Sequence, residues 1–302
     1  MTIAPEAPAI ASVPEFLELE LTGRCQLACT HCYAESGPTK GHGDMTGDGW
    51  KHVISEAAAV GVKRVQLIGG EPTLHPAFAE LVEHALGLGL GVQVYSNLYR
   101  VRLDHWQLFE RDGVSLATSY YADTDDGHDE VTGRDGSHAA TRANIAEALR
   151  RGIRVQVGIV DVLDGQRVEQ ARAELEALGV TSVHVDRVRA VGNATTTLPS
   201  TSALCGRCAH GTAAVLPDGS VTPCVLGRFL PAGRVQDEGL AAIFAGKKWA
   251  EVKSLIPPRR GVNCTPNEDS CAPSPGLDPC GPDCGPNDDS QGGGGTCGPA
   301  SD

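Results

Sequence analysis

The sequence has few aromatic residues, little positive charge and no long apolar run. Aromatic residues make up 4% of the 302 residues, and methionine occurs only twice. Lysine and arginine total 25 against 38 aspartate and glutamate residues, which gives a formal net charge of -13. Nucleic-acid-binding proteins need a basic surface, and anionic membranes attract one. The charge balance therefore argues against both kinds of partner.

The sequence also lacks the features of a membrane span and of an export signal. No run of apolar residues is long enough to cross a bilayer, so no transmembrane helix is predicted. Residues 1–14 are rich in Ala and Pro, without a basic start or a long apolar stretch, and predict a flexible N-terminus rather than a signal peptide. Eleven cysteines in such a chain indicate metal or redox chemistry rather than disulfides. We expect a cytoplasmic protein.

Three of the cysteines lie close together near the N-terminus. Cys25, Cys29 and Cys32 form a C-x3-C-x2-C motif directly after an apolar run, 16–21, that predicts a strand. Three thiolates at this spacing can bind three irons of a cubane cluster, and without a fourth local thiolate one iron stays open to a small molecule. A structural zinc site is the alternative, but it usually requires C-x2-C pairs and a fourth ligand. His31 is a poor fourth ligand because adjacent side chains rarely reach one tetrahedral ion.

Strand and helix patterns alternate six times along residues 15–198. Apolar, β-rich runs predict strands over 16–21, 62–68, 92–95, 114–118, 153–160 and 182–188. Apolar residues at helical spacing predict helices around 50–57, 78–86, 103–109, 137–150 and 168–178. The polar segment 123–136 is predicted to be a loop. Alternation with short connections indicates an α/β fold with a parallel sheet.

The cysteine motif resembles the signature of radical S-adenosylmethionine (SAM) enzymes, whose open iron is chelated by the amino and carboxylate groups of SAM. Gly69, Gly70, Glu71 and Pro72 resemble the GGEP motif of the same family, which holds the methionyl amine. Read alone, this segment is an ordinary strand-to-helix turn with proline at the helix start. The resemblance implies a partial (β/α)6 TIM barrel over residues 15–198, with the chemistry at the C-terminal ends of the strands.

Polar residues near the predicted strand ends are further candidate contacts for SAM. They are Tyr33 after the motif, Ser96 and Asn97 after the third strand, Ser119 after the fourth, and Arg189 with Asn193 after the sixth. The resemblance implies that Tyr33 packs on the cluster or adenine and that the serines and Asn97 face the ribose. Ordinary turn residues are the alternative for the serines and Asn97, and a core tyrosine is the alternative for Tyr33. For Arg189 and Asn193, lining the substrate site and forming a buried salt bridge are both alternatives to a SAM contact.

A second cysteine-rich region occupies residues 199–256. The C-x10-G-x4-C stretch from Cys208 to Cys224 resembles the opening of the SPASM or twitch auxiliary-cluster domain. Asp218-Gly219 between two short apolar runs predicts a hairpin, which would bring Cys208 and Cys224 toward one metal. We expect an auxiliary iron–sulfur cluster bound by Cys205, Cys208 and Cys224, with zinc as the alternative.

Residues 257–302 are dominated by Gly, Pro, Asp and Ser, which cannot form a packed core by themselves. The segment contains Cys264, Cys271, Cys280, Cys284 and Cys297. Only the C-x3-C spacing of Cys280 and Cys284 matches the rest of the SPASM pattern. We expect Cys264 or Cys271 to complete the auxiliary cluster and the remaining cysteines to be metal ligands that order the tail. A flexible tail with free thiols and a lid over the active site are the alternatives.

The resemblance implies an oxidoreductase-type enzyme in which reduced cluster cleaves SAM and a 5′-deoxyadenosyl radical abstracts a substrate hydrogen. The pairing of domains implies modification of a ribosomally made peptide by crosslinking, thioether formation or epimerisation. In an epimerisation, Cys224, Cys264 or Cys271 could return the hydrogen atom. The expected cofactors are a [4Fe–4S] cluster, SAM and one or two auxiliary clusters. The expected partners are a peptide precursor and an electron donor such as flavodoxin or ferredoxin.

Further expectations concern how a precursor peptide is recognised and which other functions the sequence allows. Few residues precede the first strand, so we expect the precursor to use a separate leader-peptide-binding protein or direct contacts. One alternative function is dehydrogenation or decarboxylation of a small molecule such as a sugar or nucleoside. The other is a non-catalytic iron–sulfur or zinc module that binds a partner, although such a module would have no need of the GGEP segment.

Overall fold

The computed structural model describes residues 13–256. The strands are β1 Phe16–Glu20, β2 Arg64–Ile68, β3 Gly91–Tyr95, β4 Val114–Tyr120, β5 Val155–Asp161, β6 Ser182–Arg187, β7 Thr212–Val215, β8 Ser220–Thr222 and β9 Gly233–Arg234. The helices are α1 Gly47–Val60, α2 Phe78–Gly87, α3 Leu103–Phe109, α4 Asp125–Thr132, α5 Ser137–Arg150, α6 Val168–Leu178, α7 Leu240–Ala245 and α8 Lys247–Ser254. None of these helices is long and apolar enough to cross a membrane.

The described strands form one nine-stranded sheet in the order β6-β5-β4-β3-β2-β1-β7-β8-β9. Strands β1 to β6 are mutually parallel, each joined to the next through helical segments. This arrangement confirms the expected α/β fold with a parallel set of six strands, although β6 is followed by a short 3-10 turn rather than an α-helix. The predicted hairpin is also present and consists of the antiparallel strands β7 and β8. On its other side β7 pairs with β1 in parallel. The second cysteine-rich region therefore extends the same sheet.

The two faces of the sheet differ in polarity because successive side chains of a strand alternate. Leu17, Leu19 and Leu67 belong to the main apolar core, together with residues of the surrounding helices such as Trp50 and Phe78. The opposite face carries polar side chains beside a small apolar cluster that includes Ile68 and Ala214. A row of glutamines crosses it, in which Gln66 Nε2 donates to Gln93 Oε1 at 2.6 Å and Gln93 Nε2 donates to Gln156 Oε1 at 3.1 Å.

The boundaries of α1 show how local sequence defines these helices. The Thr46 hydroxyl caps the N-terminus by accepting a hydrogen bond from the Gly49 amide. Gly61 ends the helix in the left-handed conformation, with φ of 99°. Trp50 and Ile54 lie on the buried face, as the helical spacing predicts.

The prediction of a loop over 123–136 was wrong, because the segment contains α4. The Thr124 hydroxyl caps this helix by accepting a hydrogen bond from the Gly127 amide, and Gly133 ends it at φ of 62°. Asp125 and Asp126 lie in the first turn, where negative charge interacts favourably with the helix dipole. The apolar pattern missed α4 because the helix is short and mostly polar.

Candidate active site

A cavity of about 320 Å³ lies at the C-terminal ends of the first six strands. The thiols of Cys25, Cys29 and Cys32 all line it. Six predicted cofactor contacts line the same cavity: Tyr33, Gly69, Gly70, Asn97, Ser119 and Arg189. Ser119 does so from within β4, which is longer than predicted. The chain thus brings most of the predicted site residues to one cavity at the expected end of the sheet.

Backbone and side-chain amides surround two of the three thiols. The Leu27 amide donates to Cys25 Sγ at 3.4 Å, and Asn97 Nδ2 donates to the same atom at 3.5 Å. The Ser36 amide donates to Cys32 Sγ at 3.3 Å. Burial raises the pKa of Cys25 and the pKa of Cys29 to about 12, so iron binding must displace their protons. The amide donors favour the thiolate form that a metal requires.

The loop that carries Cys25, Cys29 and Cys32, named the cysteine loop below, has three supports in the structure. The first is the Gly69–Glu71 turn. The Gly70 amide donates to the Thr22 carbonyl at 2.7 Å, and the Glu71 amide donates to the Arg24 carbonyl at 2.9 Å. A Cβ atom on Gly69 would lie 2.5 Å from the Thr22 carbonyl oxygen. A Cβ atom on Gly70 would be equally close to the Arg24 carbonyl oxygen. Both glycines are therefore needed for close packing on the chain that leads to Cys25.

Glu71 braces this region without lining the cavity. Its carboxylate accepts hydrogen bonds from the Asn97 backbone N–H at 2.9 Å, from Ser96 Oγ at 3.0 Å and from Thr73 Oγ1 at 2.6 Å. Burial raises the pKa of Glu71, while these donors oppose the shift. Ser96 and Pro72 also lie outside the cavity lining, and Pro72 begins a short 3-10 turn. The carboxylate therefore positions Asn97, which contacts Cys25.

The second support is α4, which the sequence did not reveal. The Ala28 amide donates to the Thr132 carbonyl at 3.0 Å, and the Thr30 amide donates to the Val131 carbonyl at 3.0 Å. A Cβ atom on Gly133 would lie 2.8 Å from the Ala28 carbonyl oxygen. The C-terminal carbonyls of α4 thus bind the middle of the cysteine loop.

The third support follows β6. The Asn193 amide donates to the Cys32 carbonyl at 2.9 Å, and Asn193 Nδ2 donates to the Cys29 carbonyl at 3.0 Å. A Cβ atom on Gly192 would collide with the Cys32 and Tyr33 carbonyl oxygens. Arg189 donates to Asp186 at 2.6 Å while lining the cavity, but the Asp186 side chain is half exposed, so the pair is not the buried salt bridge that was the alternative to a ligand contact.

Several buried polar atoms around the thiols have no hydrogen-bond partner among the described residues. They are His31 Nδ1, Tyr33 Oη, Ser36 Oγ, His128 Nε2 and Arg189 Nε, all from residues that line the cavity. Buried polar groups are normally paired, so this concentration indicates a polar ligand. Three thiols and a ring of unpaired polar groups fit a cluster that holds SAM at its open iron.

A second group of thiols forms in residues 199–256. The Cys208 thiol lies close enough to the Cys205 and Cys224 thiols for each to affect its pKa. The hairpin produces this grouping, since the Ala209 amide donates to the Pro223 carbonyl at 3.0 Å. All three cysteines line a second cavity of about 680 Å³. The other predicted ligands, Cys264, Cys271, Cys280, Cys284 and Cys297, lie outside the described residues.

The two cavities adjoin. Both are lined by Glu18, Gln66, Val225 and Leu226. The Val225 amide donates to Glu18 Oε2 at 2.8 Å, and burial raises the pKa of Glu18 to about 7. The wall between the two groups of thiols is therefore only a few side chains thick.

An ion pair between the buried Glu20 and the half-buried Arg228 connects the same two regions. Arg228 donates to Glu20 Oε2 at 3.0 Å and to Oε1 at 3.3 Å, and its guanidinium carbon lies 5.9 Å from the centre of the Tyr33 ring. Neither residue was a candidate, because the two are separated by 208 positions and no short motif relates them.

Comparison with known proteins gives two domain matches. The radical SAM superfamily matches residues 19–178, and an iron–sulfur cluster-binding domain, SPASM, matches residues 205–272. The matches confirm both resemblances inferred from the cysteine patterns. They imply a [4Fe–4S] cluster with SAM, and auxiliary iron–sulfur clusters.

Two curated relatives share parts of this sequence. A PqqA peptide cyclase of Rhodopseudomonas palustris is 42% identical over 86 residues, which cover 28% of this chain and 22% of the relative. The mycofactocin maturase MftC of Mycobacterium tuberculosis is 34% identical over 149 residues, which cover 48% of this chain and 38% of the relative. The aligned parts span less than half the length of each relative.

The fold is also found in a solved structure. Streptococcus suis SuiB, in a crystal structure bound to S-adenosylmethionine, matches with a TM-score of 0.68 at 13% identity. The match covers 80% of this chain and 68% of SuiB. At this identity the likeness concerns the fold alone.

Proposed function

The chain belongs to the radical SAM superfamily, and we propose that it modifies a ribosomally synthesised peptide by crosslinking, thioether formation or epimerisation. The convergence of three cysteine thiols and several unpaired polar atoms on one cavity is the observation on which the proposal depends. Two relatives named as a peptide cyclase and a maturase support the choice of a peptide substrate. The SPASM match supports an auxiliary cluster in the same chain.

Cys25, Cys29 and Cys32 would bind three irons of the first cluster, and the Gly69–Gly70 backbone would face the methionyl end of SAM. When bound, these groups supply a 5′-deoxyadenosyl radical that removes a hydrogen atom from the substrate. The protein fixes the position of the thiols through the three supports of the cysteine loop. Most residues that line the cavity are buried or half-buried, so they limit the access of water.

Crosslink or thioether formation removes two hydrogen atoms from the peptide. One leaves with the 5′-deoxyadenosyl group, and the other leaves as a proton and an electron that needs an acceptor. Cys205, Cys208 and Cys224 would hold that acceptor, an auxiliary iron–sulfur cluster. Its cavity is separated from the first only by residues such as Glu18 and Val225. In an epimerisation, Cys224 could instead return a hydrogen atom.

Mass spectrometry of candidate precursor peptides tests the proposal. The anaerobically reconstituted protein is incubated with SAM, a reductant or flavodoxin, and peptides encoded beside its gene, with or without a separate leader-binding protein. A decrease of the peptide mass by two hydrogens indicates a new bond. Epimerisation leaves the peptide mass unchanged in ordinary water, but in D2O it incorporates deuterium and raises the mass. The Cys25→Ala/Cys29→Ala/Cys32→Ala variant is the control and should modify nothing.

Two results would contradict the proposal. If 5′-deoxyadenosine forms and no peptide changes while a sugar or nucleoside is oxidised, the enzyme acts on a small molecule. If no 5′-deoxyadenosine forms under any condition, the chain is a non-catalytic cluster-binding module.

A further inference from the structure

His128 lies on α4 and lines the cavity beside the cysteine loop. Its side chain is only 1% exposed and packs against the rings of Tyr120 and Tyr121, at centroid distances of 5.0 Å and 5.2 Å. Nε2 is buried and has no hydrogen-bond partner in the part of the chain that the structure describes. Leaving such an atom unpaired costs free energy, so a ligand in the cavity is the natural partner.

Hydrogen bonds on the other side of the ring determine where its proton lies. Asp129 accepts hydrogen bonds from the Gly136 amide at 2.6 Å and from the His138 amide at 2.9 Å. It also contacts Ser137 Oγ at 2.8 Å. A carboxylate can only accept, so the Ser137 hydroxyl donates its proton to Asp129.

Ser137 Oγ must therefore act as an acceptor toward His128 Nδ1, which lies 3.0 Å away. Nδ1 consequently carries the ring proton, and Nε2 of the neutral ring is a bare acceptor. Burial lowers the pKa of His128 to about 4, which keeps the ring neutral at pH 7. The missing partner is thus a donor, an O–H or N–H group.

The neighbouring rings place this acceptor next to the cysteine loop. Tyr121 packs against His128 and also against His31, which lies between Cys29 and Cys32, at a centroid distance of 5.1 Å. Thr132, on the same helix as His128, accepts the hydrogen bond from the Ala28 amide in the loop. The molecule that contacts Nε2 is therefore one held beside the thiols.

We propose that His128 Nε2 accepts a hydrogen bond from a hydroxyl or amine group of the adenosyl part of SAM. The inference rests on the proposed function, since it requires SAM in this cavity. In this family the methionyl amine and carboxylate bind the open iron. The ribose hydroxyls and the adenine amine are the donors that remain for a side chain.

SAM affinity of two His128 variants tests the inference, measured by isothermal titration calorimetry on anaerobically reconstituted protein. His128→Phe keeps the ring packing and removes the acceptor, so the Kd should rise about fivefold to tenfold. His128→Gln offers a carbonyl oxygen in place of Nε2 and should restore the affinity to within about twofold of wild type. Iron content should be unchanged in both.

His105→Phe is the matched control. His105 is also buried and packs against Phe78, and its Nδ1 has no hydrogen-bond partner within residues 13–256, but it lines a different cavity. Its substitution should leave the Kd for SAM unchanged. If His128→Phe does not fold, Ser137→Ala provides an independent test, because without the Ser137 acceptor the proton can move to Nε2 and the affinity should fall.

The outcomes separate the two proposals. Failure of the wild-type protein to bind SAM would contradict the proposed function itself. Wild-type binding with an unchanged Kd in His128→Phe would overturn the inference alone. SAM analogues that lack the 2′ or the 3′ hydroxyl identify the donor. The analogue without the donor hydroxyl should bind the wild type more weakly than SAM does, and should bind His128→Phe as well as SAM does. If neither analogue behaves in this way, the adenine amine is the donor.

Discussion

Glu20 on β1 and Arg228, which follows the β7–β8 hairpin, form an ion pair beneath Tyr33. Glu20 is 1% exposed, and burial raises the pKa of its carboxyl while Arg228 opposes the shift. Arg228→Met would leave a buried carboxylate without its partner. We expect a loss of about 3 kcal/mol in the free energy of unfolding at pH 8, measured by urea denaturation. The loss should shrink as the pH falls, because protonation removes the unpaired charge.

The double variant Glu20→Gln/Arg228→Met is the control for this pair. Removing both charges should restore most of the lost stability. An effect of Arg228→Met that is the same at pH 5 and pH 8, or that persists in the double variant, would show that lost packing rather than charge is responsible.

His75 allows a test of pH dependence at a single residue. Burial, with His42 nearby, lowers the pKa of His75 from 6.5 to about 4. Between these values the unfolded chain binds a proton that the folded chain does not, so stability falls as the pH decreases from 6.5 toward 4. His75→Gln removes this contribution. The slope of unfolding free energy against pH should decrease by up to about 1.4 kcal/mol per pH unit, and equal slopes would contradict the account.

At the scale of elements, α4 holds the cysteine loop through its C-terminal end. Gly133→Ala places a methyl group against the Ala28 carbonyl at a residue with φ of 62°. We expect a destabilisation of about 2 kcal/mol, from left-handed strain and the contact together, and loss of iron from the first cluster. Iron analysis after reconstitution and urea denaturation measure both effects.

Gly165→Ala is the matched control, since Gly165 has φ of 74° but no atom of the described residues lies within 4 Å of the added methyl group. It should cost about 1 kcal/mol and retain all the iron. Equal iron loss in both variants would mean that strain alone, rather than contact with the loop, is responsible.

The elements differ in how well the sequence predicted them, for a physical reason. The strands and most helices bury a periodic apolar face, and residues such as Trp50 and Ile54 show that period locally. In α4 the helix is instead defined by the Thr124 cap, the Gly133 terminus and contacts with the cysteine loop. Those contacts depend on tertiary structure, so periodicity could not reveal them.

The residues of the site likewise fall into those that the sequence could predict and those that it could not. Cys25, Cys29 and Cys32 could be selected because their chemistry and spacing are informative by themselves. His128 and the Glu20–Arg228 pair could not, because their significance comes from burial and from partners distant in sequence. Glu71 was selected for its motif, yet its carboxylate binds Ser96 and Asn97 rather than lining the cavity.

At the scale of the whole molecule, two groups of thiols face adjoining cavities. We expect about eight irons or more per chain after reconstitution, and a decrease of about four when Cys25, Cys29 and Cys32 are changed to alanine. The variant Cys205→Ala/Cys208→Ala/Cys224→Ala should lose a similar amount and keep the first cluster. About four irons in the wild type, all lost with the first triad, would contradict an auxiliary cluster.

Formation of 5′-deoxyadenosine tests most directly the claim that this cavity cleaves SAM. The reconstituted protein is incubated anaerobically with SAM and dithionite, and the products are separated by liquid chromatography and identified by mass spectrometry. The wild type should form 5′-deoxyadenosine, and so should Cys205→Ala/Cys208→Ala/Cys224→Ala, whereas Cys29→Ala should form none. Equal amounts from the wild type and Cys29→Ala, or none from the wild type with its iron in place, would contradict the account.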